Sequence, residues 1–216
     1  TLSAKSVVIP VAYYVHARGL TESYRVAVSD AGDRELLRSW VLRSLIVRGV
    51  WGSGLDTLLR ELRQVIQKHG RDGFPAEEVE RAMARSGKSL AITDETLDDV
   101  LDLSYGGGRT FAVMAMLFDH IDTRNVFHID HIFPRTLLET KELKQQGLSS
   151  DEIEDLQSCR DRLPNLQLLQ GNENMSKSGS RPDVWAAEMY PTSDALTSYL
   201  ALNELTSLPH EARDFS

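Results

Sequence analysis

The sequence predicts a mainly helical protein with one small strand–strand–helix unit set into its C-terminal half, an α+β arrangement. Three observations carry that reading. Apolar residues recur at helical spacing through most of the first 125 residues, the period shortens at Val126-Phe127-His128-Ile129, and Leu166 to Gln170 alternates apolar with polar. With 216 residues, 41% of them hydrophobic, the chain can form one large domain or two small ones.

Val7 to Val15 fits a strand or a helix, and its pattern does not decide. Arg34 to Arg48 carries Leu36, Leu37, Trp40, Val41, Leu45 and Val47 near helical spacing. Leu55 to His69, opened by Ser53 or Asp56, places Leu58, Leu59, Leu62, Val65 and Ile66 on one stripe. Pro75 before Ala76-Glu77-Glu78-Val79 predicts a proline-initiated helix. Thr93 offers a cap, with Asp94 and Glu95 in the first turn of a helix through Leu97, Val100, Leu101 and Leu103. Gly106-Gly107-Gly108 lacks the GxxxxGK(S/T) pattern of a phosphate loop, and reads as a hinge or turn ahead of an apolar helix from Thr110 to Ile121.

From Val126 two short strands can pair, the first ended by Pro134, which has no amide hydrogen to continue a ladder. Arg135 to Gln145 and Ser150 to Leu163 read as amphipathic helices in the connection, the second capped by Ser149 or Ser150. Gly171 to Lys177 reads as polar and turn-like, and Pro182 to Met189 begins another helix at a proline. The expected organisation is a helical supporting region over 1–125, a ββα unit over 126–190 with a helical insertion at 135–163, and a helical tail over 191–216.

Composition narrows the function classes. No apolar run approaches the eighteen or so residues of a bilayer span, so no membrane is expected. Cys159 stands alone, which excludes an intrachain disulfide and a four-cysteine zinc knuckle and points to a reducing cytoplasm. The chain starts at Thr1 with no charged segment or cleavage site before Val7, and reads as a piece of a longer protein. Its net charge of −8 argues against an extensive nucleic-acid surface. The charge is uneven, however: residues 1–60 hold 8 Lys+Arg against 5 Asp+Glu, so a DNA-tracking surface is expected to draw on the N-terminal helices. Near the ββα unit Arg124, Arg135, Arg160, Arg162, Lys177 and Arg181 flank an acidic insertion, either as DNA contacts or as a solvated face.

The residues that carry chemistry are Asp130-His131-Ile132-Phe133-Pro134, then Asn165, Asn174 nine residues later, and Lys177 three beyond that. Mg²⁺, or Mn²⁺ in its place, takes oxygen ligands and keeps several waters, so one carboxylate (Asp130) and one amide carbonyl (Asn174) suffice when phosphate completes the shell. His131 titrates near neutrality and can deprotonate a water. Asn165 can hold the His131 ring through its side-chain or backbone carbonyl, while Lys177, His128, Arg135 and Arg181 are candidate phosphate or DNA contacts. Each has a bland alternative: a satisfied histidine, turn asparagines, a solvated lysine.

The segment from Val126 to about Met189 resembles the HNH, or ββα-metal, nuclease motif. The residues of the likeness are Asp130-His131-Ile132-x-Pro134, Asn165, Asn174 and Lys177. Within that superfamily the Pro134 ending, the Asn165-Leu-x-Leu-Leu strand, the Asn-x-x-Lys-Ser run and the preceding helices resemble the C-terminal nuclease part of GmrSD-type and SspE-like DNA restriction proteins. The resemblance implies a metal-dependent endonuclease acting on phage or foreign DNA, nicking or cutting it under the direction of a modification or phosphorothioate. It also implies an upstream sensor or nucleotide-hydrolysing domain as partner. By the same likeness Asp130 and Asn174 ligate the metal, His131 is the base and Asn165 orients it. Asn172 competes with Asn174 for the metal, and His128, on the strand face of Asp130, is a further ligand, a phosphate contact or a half-buried strand residue. The rival readings are a non-catalytic helical adaptor and an RNase.

Overall fold

The computed structural model describes residues 4–122 and 124–215, the last through its backbone alone; the outermost residues of the expected 1–125 and 191–216 segments lie outside that description. The chain forms two compact units, Thr1–Val100 and Leu101–Ser216.

In the first unit α1 (Val8–Ala17) resolves the ambiguity of Val7 to Val15 in favour of a helix. It is followed by α2 (Ala31–Ile46), α3 (Leu55–His69) and α4 (Ala76–Arg85), with α5 (Asp94–Leu101) closing the unit. The expected cap of α3 is different: Gly54 stands at the N-cap at φ 72°, where a residue with a Cβ is strained, and no side chain caps it, leaving Asp56 in the first turn. Thr93 does cap α5, its hydroxyl accepting from Thr96 N. The Leu58, Leu62 and Ile66 stripe of α3 is buried together with Val79 and Met83 of α4, while Trp40 of α2 packs on Phe74 and donates to the Met83 sulfur. Removing each such side chain from water stabilises the unit by about 1.5–3 kcal/mol.

A polar hub sits in the same unit. Asp33 accepts from the hydroxyls of Tyr14 (2.7 Å) and Tyr24 (2.8 Å), from Arg18 Nη1 (3.0 Å) and from the Phe74 amide. It joins α1, α2 and the segment before α4. Burial pushes its carboxyl up, but the Phe74 amide, the two tyrosines and Arg18 outweigh it and hold it below the ordinary range.

The second unit begins with α6 (Thr110–Leu117), one turn shorter than the apolar run to Ile121 suggests, because the chain turns extended at Phe118. β1 (Phe127–His131) and β2 (Leu166–Gln170) then pair antiparallel, with Asp130 opposite Gln167 and His131 opposite Leu166. Between them the expected Arg135 to Gln145 helix is a 3₁₀ turn, Arg135–Leu138, and α7 (Thr140–Gln145), separated by Glu139 in an extended conformation. α8 (Ser150–Cys159) starts at Ser149 with a complete Ser149/Glu152 capping box. Phe133, Leu138, Leu143, Leu148, Ile153 and Leu156 give this insertion its own core.

Gly171–Lys177 is a correction to the sequence expectation: it is a helix, α9, rather than a polar turn. The Gln170 and Glu173 side chains form a reciprocal cap that starts it directly off β2, a signal hidden by the asparagines that favour turns. α10 (Pro182–Met189) begins at its proline as expected, and Thr192 caps α11 (Ser193–Leu202). Trp185 and Ala186 of α10, Tyr199 of α11 and Leu169 of β2 make a second core, and Ala212 packs into the insertion core. Among the described residues no helix is long and apolar enough to cross a membrane.

Candidate metal-dependent nuclease site

The site is built where β1 ends. Side chains alternate along a strand, so Asp130 and His131 leave β1 on opposite faces and meet different neighbours.

On the Asp130 face, Oδ2 accepts from Lys177 Nζ at 2.7 Å and from Gln167 Nε2 at 3.1 Å. Lys177, expected at a phosphate, is instead fully buried, and its ammonium also donates to the His131 carbonyl. Burial pushes the lysine pKa down, and Asp130 opposes that shift. Asn174 lies three residues before Lys177 on α9 and so shares the helix face that reaches β1. No side-chain hydrogen bond engages it among the described residues. Asn172 is exposed, and the three-to-four-residue helical period sets it off the Lys177 face. His128 is exposed on β1, where its Nε2 lies close beside Gly171 at the start of α9.

On the other face His131 is buried, and its Nε2 lies 2.9 Å from Asp161 Oδ1. Its ring packs against Tyr105, centroids 4.5 Å apart and tilted by 41°. Burial lowers the His131 pKa and Asp161 only partly restores it. Asp161 is itself held by Arg160 (3.0 Å) and Arg135 (3.4 Å). Burial pushes its carboxyl up, but Arg160, His131 and Arg135 together keep it below the ordinary range.

Asn165 is buried and works on the backbone. Its Oδ1 accepts from Phe133 N at 2.8 Å, its Nδ2 donates to the carbonyls of Phe133 and Arg160, and its own carbonyl accepts from Ile132 N. Both carbonyls proposed for the imidazole thus serve the loop after β1; the ring partner is Asp161. Neither Asp161 nor Tyr105 stands out in the sequence, the first hidden in a run of insertion acids and the second twenty-six residues before the histidine. The nearest signal for Asp161 is its place between Arg160 and Arg162, which alone does not single it out.

The flanking cations are all engaged. Arg124 pairs with Asp122, Arg135 and Arg160 with Asp161, Arg162 with Asp102, Lys177 with Asp130 and Arg181 with Asp183. Arg181 holds the Asp183 carboxyl down to about 2.

Among the described residues no three His, Cys, Asp or Glu side chains cluster closely enough to hold a metal by themselves. The donor set that fits a cation is therefore oxygen-only and incomplete: Asp130 Oδ1, which has no hydrogen-bond partner among the described residues, and the Asn174 amide oxygen. That is the composition Mg²⁺ tolerates, since it keeps waters and takes substrate phosphate, and it does not suit a closed zinc site.

A family model described as GmrSD restriction endonucleases, C-terminal domain, matches residues 95–205, a span that contains every residue of the site above. No curated protein matches the chain.

Proposed function

Because the chain belongs to the GmrSD restriction endonuclease C-terminal domain family, we propose that it is a metal-dependent HNH endonuclease that nicks or cleaves phage or foreign DNA as the effector of a restriction system. The observation that carries this reading is the end of β1. There one carboxylate faces an asparagine-bearing helix, and the adjacent histidine is paired to a second carboxylate.

The chain's own groups divide the work. Asp161 is a carboxylate and only accepts, so His131 Nε2 carries the proton and Nδ1 keeps its lone pair. Nδ1 is thus the base that takes a proton from the attacking water, and Tyr105 holds the ring plane. The new bond from water oxygen to phosphorus forms as the opposite phosphorus–oxygen bond breaks, and the leaving oxygen takes its proton from solvent. Asp130 and Asn174 would hold a divalent cation, Mg²⁺ or Mn²⁺, which would supply Lewis-acid stabilisation of the charge on phosphate and leaving oxygen. Asn165 fixes the turn after β1, so that Asp130 and His131 stay at the strand end.

In this reading an upstream sensor or nucleotide-hydrolysing domain directs cutting to modified or phosphorothioated DNA, and a single site nicks before it linearises. The test is a plasmid assay with Mg²⁺ or Mn²⁺, with EDTA and His131→Ala controls and RNA in parallel. Nicked circles that vanish in both controls are expected. Folded protein that leaves supercoiled plasmid intact across Mg²⁺, Mn²⁺, Ni²⁺ and Zn²⁺ would sink the proposal.

A further inference from the structure

Asp130 is gripped through one of its two oxygens. Oδ2 carries both hydrogen bonds, while Oδ1 carries none and is not among the buried unpartnered atoms. Gln167 stands opposite Asp130 in the β1–β2 register and is buried. Its amide has one permitted orientation: a carboxylate only accepts, so the nitrogen must face Asp130 and the oxygen must point away. There the Tyr199 hydroxyl donates to Gln167 Oε1 at 2.7 Å.

Tyr199 comes from α11, and its ring is fixed by stacking on Tyr190 (4.6 Å between centroids, 19° between planes) and by an edge contact with Trp185 (5.8 Å). Burial drives its pKa up, so it remains a phenol able to donate. A buried amide and hydroxyl cost more than apolar side chains of equal size unless every polar atom is matched, and here they line up toward one carboxylate. Packing alone does not require that alignment.

We infer that Gln167 and Tyr199 are positioning residues for Asp130: Tyr199 sets the Gln167 amide, Gln167 and Lys177 occupy Oδ2, and Oδ1 is thereby presented to a divalent cation. This rests on the metal-dependent reading above. It ties α11, which carries none of the site residues named from the sequence, to the candidate ligand.

The experiment measures Mn²⁺ binding to the full chain without DNA, by calorimetry or Mn²⁺ paramagnetic resonance, for the parent, Tyr199→Phe, Gln167→Met, the double variant and Asp130→Ala. Nicking is followed against Mn²⁺ concentration, and folding by circular dichroism. Outer-shell changes of this kind weaken metal affinity about 10- to 100-fold, and that loss is expected for Gln167→Met, with a smaller one for Tyr199→Phe. Because the two act in series, the double variant should be no weaker than Gln167→Met alone, a non-additivity that a general loss of packing does not produce. The rate at saturating Mn²⁺ should change by less than about threefold, which is under 1 kcal/mol. Tyr199→Phe keeps the ring and its stacking, and decides the matter if Gln167→Met does not fold. Variants that bind like the parent, or a double loss equal to the product of the single losses, overturn the inference and leave the nuclease reading standing. A folded parent that neither binds Mn²⁺ nor nicks removes that reading, and the inference with it.

Discussion

Asp161 meets His131 through the ring nitrogen that carries the proton, and its charge is what keeps that proton there. In Asp161→Asn an amide can offer a donor as well as an acceptor, so the ring can adopt the wrong tautomer and lose the lone pair on Nδ1. We expect nicking to fall about 10²- to 10⁴-fold, the usual range for general base catalysis, with the melting temperature little changed. Initial rates at saturating Mn²⁺ are the check, and a rate within about threefold of the parent would show that Asp161 does not set the base. His131 and Asp130 were legible in the sequence because they are adjacent and unusual as a pair. Asp161 was not, because nothing local distinguishes it from the other acids of the insertion; only the return of the chain beside β1 selects it.

The helices of the first unit were legible from periodicity, yet their polar fastening was not. Tyr14, Arg18, Tyr24, Asp33 and Phe74 lie up to sixty residues apart and meet only once α1 and α2 are packed. The folded-state pKa of Asp33 is depressed, so its contribution to stability is fully present above the unfolded value near 3.8 and is lost as pH falls through the folded value. The unfolding midpoint of this unit, followed by Trp40 and Trp51 fluorescence in a Trp185→Phe background, should therefore hold from pH 7 to about 5 and fall below about 4. Asp33→Asn should lower it at pH 7, with a stability loss of about 1.5–3 kcal/mol for a part-buried charged hydrogen-bond hub, and remove the acid-dependent part. An unchanged acid profile in that variant would mean that other carboxylates govern it. α9 shows the opposite failure of local signals: its asparagines read as a turn, and the cap that makes it a helix depends on Gln170 and Glu173 closing on each other at the end of β2.

At the scale of the whole chain, most of the cations that give residues 1–60 their excess are already engaged within the protein. Arg18, Arg25, Arg38, Arg43 and Arg48 are all ion-paired, and Arg34 donates to the carbonyls of Tyr24 and Ala27. With the flanking arginines of the second unit also paired, a DNA phosphate must compete with a carboxylate at each of these ion-paired arginines. DNA binding measured by fluorescence anisotropy should then be weak, with a slope of log K against log salt shallower than about −4, where each phosphate contact adds about −0.9. A slope near −8 would mean that these pairs open on binding and that the N-terminal helices do track the backbone. Periodicity alone gives the helical class and the β1/β2 pair, because strand and helix periods are local properties of the chain, and fixed short spacings mark Asp130, His131, Asn165 and Asn174 as candidates. Only the tertiary structure decided that Asp161 and not Asn165 faces the imidazole, that Lys177 is buried on Asp130, and that Tyr199 reaches Asp130 through Gln167. Those pairings join residues about 30 or more positions apart, and a hydrogen bond or ion pair is selected by distance and burial in the packed chain, which no local pattern encodes.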